Sequence, residues 1–150
     1  MVNNLFDWKI HIFSGHDGSV DCAAWHPNCN YIISGSSDKT VRMWSYTDAT
    51  CVRLFPGGKG AVTSVAMSPD GKQMASAGED RKVRIWDLAQ GTQVKELRGH
   101  LSDVSSVVWC QDSRHVITGT RDGSVRVFDT STGGDTVQAE WLMGFSGIDD

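Results

Sequence analysis

The sequence lacks the features that mark several large classes of protein. No apolar run approaches 18 residues, so no membrane-spanning segment is expected. The first residues show no cationic region followed by an apolar core, so no secretory signal is predicted. The four cysteines include no CxxC pair, and no Asn-x-Ser/Thr sequon occurs. Together these absences favour a reducing, intracellular compartment.

An excess of basic residues is also missing. The chain has 14 Lys and Arg against 18 Asp and Glu, which gives a net charge of −4. Proteins that bind nucleic acid directly use a basic surface to displace counterions from the phosphates. Direct binding to nucleic acid is therefore not expected. A hydrophobic content of 39% is typical of a soluble globular protein.

The sequence does contain one pattern that is written three times. Asp38, Asp80 and Asp122 stand 42 residues apart, and a Trp or Phe follows each of them by six residues. The three copies align without a gap. Self-similarity at a period of about 40–45 residues is the sequence sign of a β-propeller.

Each copy has the same order of short segments. A glycine turn precedes a hydrophobic segment, and three more β-branched or aromatic segments follow with polar turns between them. The predicted fold class is all-β, a partial propeller of three four-stranded antiparallel blades. The predicted repeats are 15–56, 57–98 and 99–142, and the last strand of the third repeat is a weak one at 136–141.

The two ends of the chain fall outside these repeats. Residues 8–13, WKIHIF, match the slot of a fourth strand, so residues 1–14 are predicted to hold an orphan outer strand of a missing blade. We expect this strand beside the first blade and not beside the third. Residues 143–150 are predicted to be a loose tail. Because known propellers close with at least four blades, missing blades or self-association are expected to cover the end faces.

These segments resemble the WD40 repeat family over residues 8–141. In that family His, Ser or Thr, Asp and Trp form a hydrogen-bonded tetrad within each blade. Gly58 and Phe128 stand where the family pattern has His and Trp, so the second and third repeats depart from it. The resemblance implies a structural tetrad at His16, Ser34, Asp38 and Trp44, with partial sets at Ser76, Asp80 and Trp86 and at His100, Thr118 and Asp122.

Three groups of reactive residue types have a structural explanation. His16, Ser34 and Asp38 include the residue types of a hydrolase triad, but the same types recur at structural spacing. The sequence from Cys22 through His26 to Cys29 suggests zinc, yet Cys22 lies on a predicted strand, where Cys packs as a small hydrophobe. The glycine-rich stretch 57–64 fails the spacing of a phosphate loop. We therefore expect no catalytic residue, metal ligand or cofactor, and the chain is predicted not to be an enzyme.

An Arg recurs in the third strand of each repeat. Arg42, Arg84 and Arg126 each follow the Asp of the tight turn by four residues. Local ion pairs between each Arg and the Asp of its own repeat are the expected arrangement, and a basic ring that contacts a partner is the alternative.

Function is expected in the turns at one end of the blades, since these differ between repeats while the framework does not. This predicts a protein–protein interaction scaffold. Within the family, residues 26–44 and 99–109 most resemble a subunit of a general transcription initiation complex, which would imply a nuclear scaffold that contacts histone-fold subunits. The alternative is an adaptor in ubiquitin ligation, RNA processing or signalling. The candidate partner-binding residues are Asp17, Ser37, Lys59, Glu79, Leu101, Asp103 and Arg121.

Overall fold

The structure is a computed structural model that describes residues 10–131, and this range contains eleven strands joined by turns. In chain order they are β1 (Val20–Trp25), β2 (Tyr31–Ser36), β3 (Thr40–Ser45), β4 (Thr50–Pro56), β5 (Val62–Met67), β6 (Gln73–Gly78), β7 (Val83–Asp87), β8 (Thr92–Leu97), β9 (Val104–Trp109), β10 (His115–Thr120) and β11 (Val125–Asp129).

The strands form three antiparallel sheets in simple sequential order. The first sheet is β1-β2-β3-β4, the second is β5-β6-β7-β8, and the third is β9-β10-β11. The chain is therefore an all-β partial propeller with three blades, as predicted. The fourth strand predicted for the third blade, 136–141, and the predicted tail, 143–150, lie outside the described residues.

Bulges recur at equivalent places in the blades. The first two strands of every blade shift register, between Val20 and Cys22, between Val62 and Ser64, and opposite Gly119 and Thr120. The third and fourth strands shift register before Trp44 and before Trp86. A bulge bends its strand and increases its twist, so the repeat dictates the same curvature in each blade.

The apolar core lies between the blades. One cluster joins the first and second blades through Ile33, Val41, Phe55, Val62, Val65, Met74, Trp86 and Leu88. A second cluster joins the second and third blades through Ala75, Ala77, Val83, Ile85, Leu97, Val104, Val107, Trp109, Val116 and Phe128. Each blade thus depends on a neighbour to bury its faces, as in other repeat proteins.

The tight turn before the third strand has a left-handed residue in every blade. The residue after the turn Asp has φ of 72° at Lys39, 66° at Arg81 and 86° at Gly123. This conformation costs little for glycine and more for Lys or Arg. The turn brings the preceding Asp back toward the start of the blade.

Residues 10–13 lie beside the first blade. The ring of Phe13 meets that of Trp44 edge-on at 5.9 Å, and the ring of His11 lies 4.9 Å from that of Tyr46. This is the position expected for the N-terminal segment. Residues 10–13 belong to no ladder, because the first blade already has β4 on its outer edge. The orphan strand at 8–13 stays a prediction, since residues 8 and 9 lie outside the described residues.

Candidate functional site

The first blade brings His16, Ser34, Asp38 and Trp44 into one chain of hydrogen bonds. The indole Nε1 of Trp44 donates to Ser34 Oγ at 2.8 Å. Ser34 Oγ lies 2.8 Å from His16 Nε2, and His16 Nδ1 lies 2.8 Å from Asp38 Oδ2. One tautomer satisfies every atom: the hydroxyl donates to Nε2, and Nδ1–H donates to the carboxylate. All three bonds are used inside the blade.

Asp38 is the most fully used acceptor of this network. Besides His16, it accepts from the backbone N–H of Asp17 at 3.1 Å and from both the N–H and the hydroxyl of Thr40, at 2.9 and 2.6 Å. Burial acts to raise the pKa of Asp38, but the hydrogen bonds from Thr40, His16 and Asp17 outweigh it and hold the pKa well below its ordinary value. The carboxylate is therefore charged and bound in the folded state.

The second blade keeps half of the network and replaces the rest. Trp86 Nε1 donates to Ser76 Oγ at 3.0 Å, as in the first blade. The guanidinium of Arg84 donates to Asp80 Oδ2 at 2.7 Å. A Cβ at Gly58 would lie 2.1 Å from Asp80 Oδ2 and 2.6 Å from both terminal nitrogens of Arg84. Arg84 thus occupies the space of the missing imidazole and leaves a cavity of about 10 Å³ beside it.

The third blade breaks the network at the carboxylate. His100 Nε2 lies 2.8 Å from Thr118 Oγ1, but its Nδ1 is buried without a hydrogen-bond partner among the described residues. Asp122 instead accepts from the hydroxyls of Thr120 and Ser124, which lowers its pKa to about 2. Burial, and then the nearby charge of Arg126, lower the pKa of His100.

The prediction of three ion pairs between the recurring Arg and the turn Asp is wrong for two repeats. Only the Arg84–Asp80 pair forms, at 2.7 Å. The guanidinium of Arg42 lies beside Gly15, where an added Cβ would approach Nη1 to 2.9 Å. Arg126 donates to the backbone oxygen of Gly99. The physical reason in the first blade is that His16 already occupies the side of Asp38 that Arg84 uses on Asp80.

Residues 40 and 36 are network members that the sequence reasoning missed. Thr40 binds both Asp38 and, at 3.4 Å, His16, while Ser36 Oγ accepts from the N–H of Asp38 at 3.1 Å. The available signal was weak, because the equivalent of Thr40 is Lys82 in the second repeat and Ser124 in the third.

The predicted partner-binding residues lie on turns at one end of the blades. One backbone hydrogen bond recurs there in each blade with the same spacing along the chain. The three bonds run from Ser37 N to Ser19 O at 3.0 Å, from Glu79 N to Ala61 O at 3.1 Å, and from Arg121 N to Asp103 O at 3.0 Å. The backbone of this rim is thus constant, while the side chains that it presents differ.

Most of the rim side chains are open to solvent. Asp17, Ser37, Lys59, Glu79, Leu101 and Arg121 are exposed, and Leu101 is the extreme case at 76%. Asp103 is partly buried and lies 3.9 Å from Arg81, which links the turns of the second and third blades. The rim therefore combines an exposed apolar side chain with charges of both signs.

Cys22, His26 and Cys29 are not gathered into one cluster. Among residues 10–131 no cluster of three or more His, Cys, Asp or Glu side chains has the geometry to hold a metal ion. His26 Nε2 bonds the backbone oxygen of Gly71 at 3.0 Å, which ties the first blade to the second. Burial raises the pKa of the Cys22 thiol to about 11, so the thiol stays protonated.

A cavity on the open side of the first blade was not foreseen. It has a volume of about 170 Å³ and is lined mainly by apolar side chains. Its lining residues are Phe13, His16, Val20, Ala23, Ile32, Ser34 and Trp44.

Within residues 10–131 the structure contains no helix with the length and apolar character that crossing a membrane requires.

Comparison with known proteins places these blades in a family. The family model described as "WD domain, G-beta repeat" matches residues 8–45, 49–87 and 91–129, well over half of the chain. Each match begins one strand earlier than our repeats, so the first one includes the segment WKIHIF.

Two of the curated relatives match over stretches about as long as one repeat. Transcription initiation factor TFIID subunit 5 of Caenorhabditis elegans is 47% identical over 45 residues, 30% of this chain and 7% of that protein. Nuclear distribution protein PAC1 of Candida tropicalis is 50% identical over 42 residues, 28% of this chain and 9% of that protein. The crystal structure of RRP9 WD40 repeats superposes with a TM-score of 0.75 at 24% identity, over 78% of this chain and 37% of that one. It supports the fold alone.

Proposed function

Since the chain belongs to the WD40 repeat family, we propose that it is a non-enzymatic scaffold that binds another protein through the rim of exposed turns. The observation that carries the proposal is the recurring backbone bond of the rim. It holds Ser37, Glu79 and Arg121 in equivalent positions with three different chemistries. The same fold position thus supplies a hydroxyl, an acid and a base, which is how a constant framework presents a specific surface.

The internal residues support a binding role over a catalytic one. His16, Ser34 and Asp38 have the residue types of a hydrolase triad, but the Ser34 hydroxyl is bound by both Trp44 and His16 inside the blade. A nucleophile needs an exposed position beside donors for the oxyanion. Ser34 is buried, so its hydroxyl serves the blade.

For the partner, we propose histone-fold subunits of a TFIID-type transcription initiation complex, which would place the chain in the nucleus. The match to TFIID subunit 5 supports this choice, and the rim offers the exposed apolar side chain of Leu101 together with the exposed charges of Lys59 and Arg121. A WD-repeat adaptor in another complex is the second candidate, because the match to the nuclear distribution protein is as strong. Both candidates use the same rim.

The direct test is binding of the 150-residue chain to purified TFIID histone-fold subunits, measured by titration with the charge-reversed rim variant Arg121→Glu and with Leu101→Ser. We expect binding by the unaltered chain and at least a tenfold loss in each variant. Lys72→Glu and Val94→Ser are the matched controls, since both residues are exposed and lie away from the rim. Equal binding by all five proteins would refute the rim, and no binding by any of them would favour a different complex.

A further inference from the structure

The blades stack through one kind of interface that the chain uses twice. We call the side of a blade that packs on the following blade its front face, and the opposite side its rear face. The front faces contribute Ile33 and Val41 in the first blade, and Ala75 and Val83 at the equivalent places in the second. The rear faces contribute Val62, Val65, Met74 and Trp86 in the second blade, and Val104, Val107, Val116 and Phe128 in the third.

One rear face and one front face have no neighbouring blade in the structure. They are the rear face of the first blade and the front face of the third. The rear face of the first blade holds Val20, Ala23 and Ile32, the equivalents of Val62, Val65 and Met74 by the 42-residue step. Val20 is 55% exposed, and neighbouring Trp25 is 52% exposed, whereas Val62 is 4% exposed. The apolar cavity of about 170 Å³ lies on this face.

The front face of the third blade is open in the same way. Val125 is 62% exposed, although its equivalents Val41 and Val83 are fully buried. Val108 is 52% exposed, while its equivalents Ala24 and Ala66 are partly buried against the two core clusters. Isolated apolar side chains on a protein surface are ordinary. An exposed apolar face is different when the equivalent faces elsewhere in the chain are covered by a neighbouring blade, because it then has the composition of an interface.

From this match we infer that two copies of the chain associate head to tail. The front face of the third blade of each copy packs on the rear face of the first blade of the other. A single twofold axis makes both contacts at once and closes the assembly without a free face. The product is a ring of six blades, within the range of four to eight that propellers adopt.

The N-terminal segment already lies where such a ring requires it. Phe13 meets Trp44 edge-on at 5.9 Å, and Phe55 meets Trp86 edge-on at 5.3 Å. Phe13 and Trp44 are the equivalents of Phe55 and Trp86 by the 42-residue step. Phe55 belongs to the outer strand of the blade in front, where it pairs with Val41. In the ring, Phe13 therefore lies at the contact with the third blade of the second copy.

The first measurement is the mass of the 150-residue chain by sedimentation equilibrium over a hundredfold range of concentration. We expect twice the chain mass of 16.4 kDa. A species of chain mass throughout would overturn the proposal, because other parts of the same chain would then cover both faces. Masses that grow beyond the dimer with concentration would also overturn it, because open filaments would then replace the ring.

Complementation between two variants tests the head-to-tail geometry. Val125→Asp blocks the front face, and Trp25→Asp blocks the rear face. Each variant alone should sediment at chain mass, while an equimolar mixture should form a heterodimer through the one interface that neither substitution touches. Both side chains are more than half exposed, so the blades should still fold, which near-UV circular dichroism would verify. Val94→Asp on β8 of the central blade is the matched control and should leave the dimer intact.

Two outcomes of the mixing experiment would contradict the geometry. If one variant stays dimeric and the other becomes monomeric, a single face pairs with itself. If the mixture stays monomeric, the two open faces do not recognise one another. The inference uses the end faces and not the rim, so its failure would leave the proposed binding function untouched.

Discussion

The first and second blades have the same backbone and different polar centres. In the first, Asp38 binds His16, which passes the chain of bonds on to Ser34 and Trp44. In the second, Asp80 binds Arg84, while Ser76 and Trp86 remain joined to each other without a link to the carboxylate. The constant element is a buried or half-buried acid with a donor. The identity of the donor is exchangeable, because the donor only has to fill the space and match the charge.

The difference also shows how one side chain depends on another across the blade. Arg42 and Arg84 occupy equivalent places within nearly the same local sequence, VRMW and VRIW. Arg84 turns to the carboxylate because the Gly58 position leaves room. In the first blade, His16 occupies the space beside the carboxylate, so Arg42 does not reach it. The Nε of Arg42 is buried without a hydrogen-bond partner among the described residues. Arg84 thus takes the place that the imidazole of His16 has in the first blade.

The largest expected effect is a loss of stability that is greater when Asp38 is replaced than when Asp80 is replaced. Asp38→Ala should lower the free energy of unfolding by about 1–3 kcal/mol, because His16 and the N–H groups of Asp17 and Thr40 lose their acceptor in a buried site. Asp80→Ala should cost less, about 1 kcal/mol, because Glu96 Oε1 remains 3.6 Å from Arg84. Urea unfolding at constant m-value measures both. Equal shifts of the midpoint would contradict the difference between the networks.

A double-mutant cycle sharpens the comparison by converting the first blade into the second. In a His16→Gly background, Arg42 should reach Asp38 as Arg84 reaches Asp80. The coupling free energy between Arg42→Ala and Asp38→Ala should then be about 1 kcal/mol, within the usual range for residues in contact. In the unaltered chain the coupling should be close to zero, because the two groups form no ion pair. Identical couplings in the two backgrounds would show that Arg42 does not replace the imidazole.

In the third blade, His100 makes the stability of the fold depend on pH. Since burial and then the charge of Arg126 lower the pKa of His100 below the ordinary value of about 6.5, the unfolded chain takes up a proton at a higher pH than the folded chain. Stability is therefore retained above pH 6.5 and falls as the pH drops below that value, until the folded-state pKa is reached. In His100→Gln this dependence should disappear, so the urea midpoint of the variant should fall less than that of the unaltered chain as the pH drops below about 6.5. Urea midpoints at four pH values measure it, and an unchanged slope would contradict it.

The smallest expected effect concerns the left-handed turn residue. Gly123→Ala should destabilise by about 1 kcal/mol, since φ is 86° there while no atom lies within 4 Å of the added Cβ. Lys39→Gly at the equivalent position should stabilise by about 0.5 kcal/mol or less, because relief of the left-handed strain is partly offset by the flexibility of glycine in the unfolded chain. Thermal midpoints measure both, and opposite signs are the expected result.

The strand order and the blade faces were predictable from periodicity. The 42-residue step places β-branched and aromatic residues at the same points of each unit, and each of the eleven described strands begins and ends within one residue of an equivalent strand in another blade. The rim residues follow from the same step. Periodicity alone does not decide what residues 10–13 pair with, since pairing depends on an edge that the segment cannot supply for itself.

By itself, the sequence determined the repeat, the blades, the position of Asp in each tight turn and the variation along the rim, because these depend on neighbours close along the chain and on a pattern that recurs. Only the tertiary structure decided which donor each Asp receives, where the three Arg side chains lie, and that Val20 and Val125 stay open while their counterparts are buried. These outcomes depend on which groups occupy the space between segments 20 to 40 residues apart. Local sequence is nearly identical at Arg42 and Arg84, and only the space around each guanidinium differs.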